Sequence, residues 1–321
     1  MTAIDPQARE VIDYLSRLGL PPIDQVAAPD ARRQYRETRA ALRPPVPDVA
    51  EVRDLSAGGT AGPPVPLRLY RPADGVLPAF IFFHGGGWVV GDLDTHDVIC
   101  RQIASLARAA VIAVDYRLAP EHRFPAAADD AWSATTWTAA HAAALGIDSG
   151  RLAVGGDSAG GGLAAVVALM ARDSRTLRLA LQVLVYPVLD LRAQTASYAA
   201  FGEGYLLTRA AMQWYIAQYA PAAEAVNDWR ASPMLAPWVH GVAPALVLAA
   251  ELDPLVDEGA AYARRLEGAR VPVQYHRIDG MVHGFLTMGG KVDAANRAAE
   301  TIAAALRAAF TRASAGSSSP R

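Results

Sequence analysis

Residues 155–162 read GGDSAGGG, and they join an apolar segment at 152–156 to a run of small residues at 159–172. The apolar segment is typical of a buried strand and the following run of a helix, so the motif occupies the turn between them. Its centre, GDSAG, matches the G-x-S-x-G pattern, in which a strained turn exposes a serine hydroxyl. We therefore interpret Ser158 as a nucleophile, with the amides of the following helix directed at developing negative charge.

Two other glycine-rich motifs do not fit this stretch. A phosphate-binding P-loop requires a lysine where Gly161 stands, and a dinucleotide-binding fingerprint requires glycines at its first, third and sixth positions ahead of the helix. The motif therefore favours nucleophilic catalysis over nucleotide binding.

The chain on both sides of this turn alternates short apolar segments with helical ones. From residue 79 onward, strands are predicted at 79–83, 111–115, 152–156, 181–186, 245–250 and 273–278. Helices are predicted at 95–110, 128–145, 159–172, 256–267 and 292–310. Segments 49–56 and 65–71 predict a hairpin, the natural place for antiparallel pairing. This order predicts an α/β protein with a mostly parallel sheet of about eight strands and helices on both faces.

Two parts of the chain depart from the alternation. Residues 1–45 predict two helices, and the second, at 32–42, is so highly charged that we interpret it as a surface element. Between residues 189 and 236 an aromatic-rich stretch with a helix near 208–219 is interpreted as an insertion over the strand ends. We predict N-terminal helices at 1–45 and a catalytic domain at 46–321 with its insertion at about 190–235.

A second glycine motif follows the predicted strand at 79–83. Residues 80–88 read FIFFHGGGW, and three glycines in succession cost backbone entropy that a structural role alone explains poorly. An oxyanion formed at an ester carbonyl needs unobstructed backbone N–H donors, which such a loop and the amide of Ala159 would supply. We interpret His84, together with Gly85, as support for this loop, because the base of this arrangement follows the serine in the chain.

The base must come from a loop beyond the last strands, in the chain order serine, acid, histidine. His276 alternates within a predicted strand and is interpreted as a packed or surface residue. His283 lies in a loop with a glycine on each side, and we predict that it is the base. The other histidines are His84, His96, His122, His141 and His240.

The acid is expected just past the end of the strand at 245–250. Asp253 occupies that position, and Pro254 fixes the turn that follows. Glu251 is still close to the strand, whereas Asp257 and Glu258 fall on the next helix and are interpreted as a solvated first turn. We predict Asp253 as the acid that orients the base.

Composition excludes several classes of function. The 321 residues are 52% hydrophobic and carry a formal charge of −2, so a large core is expected and nucleic acid is a poor partner. Cys100 is the only cysteine and is interpreted as a buried structural thiol. No signal peptide, membrane-spanning run or metal-ligand spacing is recognisable, so we expect a cytoplasmic protein that needs no cofactor and no metal.

Taken together, these motifs resemble the hormone-sensitive-lipase-like (family IV) bacterial esterases of the α/β-hydrolase superfamily. The resemblance rests on HGGGW at 84–88, DYRLAPEHRFPAA at 115–127, GGDSAGG at 155–161, DPLVDEG at 253–259 and VHGF at 282–285. It implies a triad of Ser158, Asp253 and His283, and oxyanion donors at the amides of Gly86, Gly87 and Ala159. It also implies a helical cap formed by the N-terminal helices and the insertion. Gly162 departs from the family, whose members commonly carry asparagine there, at a cost of about 1 kcal/mol of helix stability.

The expected reaction is hydrolysis of a small-molecule ester of short to medium chain through an acyl-enzyme. The same triad can also cleave amides or lactones or transfer acyl groups, and a non-catalytic small-molecule receptor or an interfacial lipase are further alternatives. The acyl pocket depends on how Phe201, Tyr205, Trp214 and the N-terminal helices pack, which the sequence does not show. The oligomeric state is left open, with a homodimer as one candidate.

Overall fold

The computed structural model describes residues 3–58 and 63–317, with the last three residues described by their backbone alone. Eight strands form one sheet. They are β1 (Glu51–Ala57), β2 (Val65–Arg71), β3 (Leu77–Phe83), β4 (Ala110–Val114), β5 (Ile147–Asp157), β6 (Leu181–Val185), β7 (Ala245–Leu252) and β8 (Val273–Val282).

Ten α-helices accompany the sheet in the described residues. They are α1 (Pro6–Arg17), α2 (Ala28–Leu42), α3 (Asp97–Ala107), α4 (Ala126–Ala140), α5 (Ala159–Ser174), α6 (Ala196–Ala200), α7 (Arg209–Tyr219), α8 (Ala223–Asn227), α9 (Val256–Gly268) and α10 (Asp293–Ser317). Within the described part of the chain, no helix has both the length and the apolar composition that a membrane crossing requires.

The sheet has the order β1-β2-β4-β3-β5-β6-β7-β8. Strands β3 to β8 pair in parallel, and antiparallel pairing joins β1 to β2 and β2 to β4. The predicted mostly parallel eight-stranded sheet and its N-terminal hairpin are therefore confirmed. Residues 59–62, between β1 and β2 in the sequence, lie outside the described residues.

Both faces of the sheet are buried, as β3 illustrates. Ala79, Ile81 and Phe83 belong to a core that includes α4, α5 and α9, whereas Phe80 and Phe82 belong to the opposite core with α3 and α10. Successive side chains of a strand point to opposite faces, so a strand covered on both sides is apolar throughout. Cys100 is buried in the second of these cores, as the sequence predicts.

The strand β8 is longer than the apolar pattern indicates. We expect its end at residue 278, but it continues to Val282, which pairs with Leu252 at the end of β7. The pairing shifts register between Ala250 and Leu252, so backbone pairing resumes after an irregularity that hydropathy alone does not reveal. His283 therefore follows directly after a strand and not several residues into a loop.

The charge of α2 serves contacts with the rest of the protein. Arg32 donates from Nε to the carbonyl of Val89 at 2.8 Å and from Nη2 to that of Ala119 at 2.9 Å. It also forms a two-pronged pair with Glu121, at 2.9 and 2.6 Å. Helix α2 is thereby fixed across the loops that follow β3 and β4.

Candidate active site

The predicted site residues all follow the carboxyl ends of parallel strands. The glycine loop, residues 84–87, follows β3, and Ser158 follows β5. Asp253 follows β7, and His283 follows β8. Because parallel strands end at the same edge of the sheet, four segments far apart in sequence meet there.

A continuous hydrogen-bonded chain links three of these side chains. The Nδ1 atom of His283 lies 2.7 Å from Oδ2 of Asp253, and its Nε2 atom lies 2.9 Å from Oγ of Ser158. Asp253 is fully buried, and its other carboxylate oxygen accepts the amide hydrogen of Leu255 at 2.9 Å. With Nδ1–H donating to this carboxylate, Nε2 carries the lone pair that faces the serine hydroxyl.

Ser158 adopts the strained backbone that the motif predicts. Its φ of 55° and ψ of −120° lie in a region that residues with a Cβ rarely occupy. The turn also requires glycine, because a Cβ on Gly160 would lie 1.9 Å from the carbonyl oxygen of Phe83. Helix α5 starts at Ala159, so the serine stands at the N-terminus of a helix whose first amides have no partner within the helix.

The three acidic residues considered as alternatives to Asp253 make contacts away from His283. Glu251 accepts the amide hydrogen of Gly280 at 2.8 Å, and Asp257 accepts that of Ser197 at 2.8 Å. The interpretation of Glu258 as a solvated residue is wrong, since it is only 1% exposed. It accepts the amides of Leu189 and Asp190 at 2.6 and 2.8 Å, because the insertion folds over the start of α9.

The glycine loop is held from beneath by the residue that precedes the serine. Asp157 accepts the amide hydrogen of Gly85 at 2.9 Å, and a Cβ on Gly85 would lie 2.4 Å from the other oxygen of this carboxylate. Gly86, with a φ of 124°, and Gly87, with a φ of 59°, line the same cavity as Ser158. Among the described residues, neither of their amides donates to an acceptor.

His84 contacts the glycine loop through one ring nitrogen. Its Nδ1 atom lies 2.8 Å from the carbonyl oxygen of Gly85, and Nε2 is buried without a partner in the described part of the chain. The ring stacks on Tyr116, whose hydroxyl donates to the carbonyl of His84 at 2.7 Å. Burial lowers the pKa of His84 to about 4, so the ring is neutral at neutral pH.

The carboxylate of Asp157 is a feature that the sequence reasoning missed. His96 places Nε2 at 3.2 Å from Oδ1 of Asp157, and both side chains are buried. Burial by itself raises the pKa of Asp157, but His96 and the amide of Gly85 outweigh it and hold that pKa below its ordinary value. The only sequence signal was the placement of an acidic residue between an apolar strand and the predicted nucleophile, where charge is otherwise costly.

A cavity of about 270 Å³ opens onto the serine, and we call it the active-site cavity. Its walls come from the N-terminal segment, the glycine loop, the turn around Ser158, the insertion and the end of β8. The lining residues are Leu15, Pro22, Ile23, Asp24, Gln34, Tyr35, Arg39, Gly86, Gly87, Asp157, Ser158, Leu206, Leu207, Thr208, Ala211, Met212, Tyr215, His283 and Gly284.

The sequence leaves open how Phe201, Tyr205, Trp214 and the N-terminal helices pack around the acyl pocket. The N-terminal helices line the active-site cavity, and the three aromatic residues are not among its described lining residues. Helix α7 presents Ala211 and Tyr215, which are four residues apart and share one face, together with Met212. Trp214 lies outside that face, and Tyr205 and Phe201 pack edge to face on each other. The sequence identifies α7 as aromatic-rich but not which of its faces is turned inward.

No group of three or more histidine, cysteine, aspartate or glutamate side chains arranged to hold a metal ion occurs within residues 3–58 and 63–317. The arrangement around Ser158 brings a hydroxyl, an imidazole and backbone N–H groups together at one edge of the sheet.

Comparison with known proteins identifies the family. The model of the alpha/beta hydrolase fold matches residues 80–287. The chain is 43% identical over 291 residues to an ethyl acetate hydrolase of Pseudomonas putida, covering 89% of this chain and 92% of that protein. It is 44% identical over 273 residues to a carboxylic ester hydrolase of Mycobacterium tuberculosis, covering 82% and 71% of the two chains.

The fold agrees with a solved structure of an ester hydrolase from the Lake Arreo metagenome in complex with a bipyridine phosphonate derivative. The TM-score is 0.92 at 40% identity, and the match covers 96% of this chain and 99% of that one. On these matches and on the geometry around Ser158, the chain belongs to the α/β-hydrolase fold family, among its hormone-sensitive-lipase-like carboxylic-ester hydrolases.

Proposed function

We propose that this protein is a serine carboxylesterase in which Ser158 is the nucleophile, His283 the base and Asp253 the acid that orients the base. The observation that carries the proposal is the unbroken chain of contacts from Asp253 through His283 to Ser158, at 2.7 and 2.9 Å. The similar proteins named as ester hydrolases support the same reaction class.

The reaction proceeds in two acyl-transfer steps. His283 takes the hydroxyl proton of Ser158 as Oγ of the serine attacks the ester carbonyl. The alcohol then leaves with that proton. Water then repeats the attack on the acyl-enzyme and releases the acid. Asp253 holds the imidazole in the required tautomer and stabilises the imidazolium.

The amides of Gly86, Gly87 and Ala159 hold the oxyanion. Two features support this assignment: the first two amides lack acceptors among the described residues, and the third opens helix α5. Such donors act strongly because they are already oriented before charge develops. His84 and Gly85 support the loop that carries the first two.

The substrate is an ester of short to medium chain. The active-site cavity, at about 270 Å³, lies at the lower end of the range of roughly 300–1,000 Å³ typical of small-molecule pockets. Helices α1 and α2 and the insertion between β6 and β7 form the cap above the catalytic domain, since both segments contribute to the cavity wall. A cytoplasmic location is part of the proposal. A single cysteine cannot form an internal disulfide, so the fold does not call for an oxidising compartment.

Ser158→Ala tests the proposal. With p-nitrophenyl butyrate as substrate, we expect kcat/KM to fall at least about 1,000-fold while the fold is kept. Ser16→Ala, on the exposed side of α1, is the matched control and should retain full activity. A fluorophosphonate probe should add one adduct to the wild-type enzyme and none to Ser158→Ala, and equal labelling of both would overturn the assignment. Matched ester and amide substrates then separate an esterase from an amidase.

A further inference from the structure

Helix α2 presents three arginines to the rest of the protein at helical spacing: Arg32, Arg36 and Arg39. Arg32 pairs with Glu121, and Arg36 forms an ion pair with Asp92. Arg39, one turn further along, lies within 4 Å of no carboxylate among the described residues. Two of its guanidinium nitrogens, Nε and Nη1, are buried and have no hydrogen-bond partner in the described part of the chain.

The guanidinium of Arg39 lies in the wall of the active-site cavity. It lies over the ring of Tyr35 at 4.8 Å from the ring centre, and Nη2 lies beside Gly284, the residue after His283. Of the described residues that line this cavity, Arg39 is the only one with a permanent positive charge. Two guanidinium nitrogens withdrawn from water without an anionic partner are costly, so an anion that enters the cavity gains a strong, geometrically specific partner.

The other charged groups near this guanidinium do not take the place of such a partner. Asp157 accepts a hydrogen bond from the amide of Gly85 and lies against His96. Its electrostatic interaction with the guanidinium of Arg39 acts only at longer range. Burial lowers the pKa of Arg39, but the nearby Tyr35 and Tyr186 hydroxyls and Asp157 outweigh it and hold that pKa above its ordinary value. Asp24 also lines the cavity but forms no ion pair with Arg39.

We propose that the preferred substrates carry a carboxylate in addition to the ester bond, and that Arg39 binds this carboxylate with its guanidinium. The inference rests on the proposed esterase function, since it assigns a substrate class to the same site. The carboxylate belongs either to the acyl part, as in a half-ester of a dicarboxylic acid, or to the alcohol part, as in the acetyl ester of a hydroxy acid.

Two pairs of substrates separate these sources. For the acyl part, mono-p-nitrophenyl glutarate is compared with p-nitrophenyl methyl glutarate, which has the same chain without the charge. For the alcohol part, 4-acetoxybenzoate is compared with its methyl ester. The ratio of kcat/KM for the charged over the neutral member is measured for each pair in wild-type enzyme and in Arg39→Met. Intrinsic differences in reactivity cancel when the ratios of the two proteins are divided.

For at least one pair we expect Arg39→Met to lower this ratio by about 10- to 100-fold, the size of a charge-assisted hydrogen-bonded contact. Arg39→Lys should restore part of the ratio, since it keeps the charge without the planar fork. Arg36→Met is the control, because Arg36 lies on the same helix and is paired with Asp92; it should leave both ratios unchanged. A response of the first pair alone assigns the carboxylate to the acyl part, and of the second alone to the alcohol part.

Unchanged ratios for both pairs in Arg39→Met would overturn the inference. If Arg39→Met is too unstable to assay, binding of glutarate to Ser158→Ala is compared with binding to Ser158→Ala/Arg39→Gln by calorimetry, because glutamine removes the charge. Equal affinity in that comparison also overturns the inference. The esterase proposal fails separately, when wild-type enzyme does not cleave the neutral esters in a Ser158-dependent manner.

Discussion

The carboxylate of Asp157 accepts the amide hydrogen of Gly85 at 2.9 Å and thereby ties the glycine loop to the turn that carries Ser158. The two residues are 72 positions apart, but Phe83 and Gly156 pair across β3 and β5, so the strand ends stand side by side. One buried contact therefore fixes the distance between the proposed nucleophile and two of its proposed oxyanion donors.

Removing the Asp157 carboxylate should impair activity through the position of the glycine loop. In Asp157→Ala the amide of Gly85 is left buried and unpaired, which costs roughly 1–3 kcal/mol of stability. We expect kcat to fall about 10- to 100-fold with little change in KM, because loss of one oxyanion donor costs about 100- to 1,000-fold and the loop is here displaced but not deleted. Asp157→Asn keeps an acceptor oxygen and should recover most of kcat. An alanine variant within twofold of wild type would contradict this role.

The two carboxylates at the end of β7 should differ sharply in their effect on rate. Asp253→Asn cannot hold His283 in the required tautomer, so we expect kcat to fall about 1,000- to 10,000-fold. Glu251→Gln still offers an oxygen to the amide of Gly280 and should stay within about fivefold of wild type. Steady-state kinetics on p-nitrophenyl butyrate make the comparison, and the reverse ranking would move the acid's role to Glu251.

The sequence predicts those parts of the site that sit at strand ends. Ser158 and Asp253 each follow an apolar strand, and the pairing of Leu252 with Val282 then brings Asp253 and His283 together. Short-range patterns define where a strand lies, and parallel pairing then places the ends of these strands at the same edge of the sheet.

Residues whose role depends on a distant segment are not predictable in this way. Glu258 has the local sequence of a solvated first turn, and only the folding of residues 189–198 over α9 buries it. Arg39 belongs to a charged helix whose pattern gives no sign of which arginine lacks a carboxylate partner among the described residues. Met212 and Trp214 are two positions apart, and the packing of α7, not its composition, decides which faces the cavity.

The buried Glu258 should make stability depend on pH. Burial raises the pKa of Glu258 from 4.5 to about 8, although the amides of Leu189 and Asp190 oppose the shift. Between these values the folded protein keeps a proton that the unfolded chain has lost, so this group's stabilising contribution is lost as pH rises from 4.5 through 8.

In Glu258→Gln this dependence should be absent, because the amide mimics the protonated acid. The wild-type free energy of unfolding should therefore fall more steeply with pH than that of the variant, by up to about 1 kcal/mol per pH unit between pH 5 and 8. Chemical denaturation at several pH values measures it. Glu267→Gln, at an exposed position of the same helix, should retain the wild-type slope. Parallel curves for wild type and Glu258→Gln would contradict the raised pKa.

Gly162, the departure from the family's common asparagine, is required by close packing in this protein. A Cβ at this position would lie 2.3 Å from the carbonyl oxygen of Val188. Gly162→Ala should therefore lower the melting temperature, although alanine favours a helix over glycine by about 1 kcal/mol. Gly259→Ala in α9 is the matched control: its added methyl group would meet no atom closer than 3.9 Å, so it should raise the melting temperature. A higher melting temperature for Gly162→Ala would contradict this requirement and would show that the backbone near Val188 shifts at little cost.

Shortening Met212 should shift the enzyme toward longer acyl chains. Met212 lines the active-site cavity, whose volume is about 270 Å³. Replacing it by alanine shortens this side chain and enlarges the cavity. Each additional methylene buried in the enlarged cavity is worth about 0.8 kcal/mol, or roughly fourfold in kcat/KM. A series of p-nitrophenyl esters from acetate to decanoate should therefore show an optimum at least two carbons longer in Met212→Ala than in wild type. Trp214→Ala is the control on the same helix, because Trp214 does not line the cavity, and its optimum should stay in place. A shift in Trp214→Ala without one in Met212→Ala would mean that the other face of α7 meets the acyl chain.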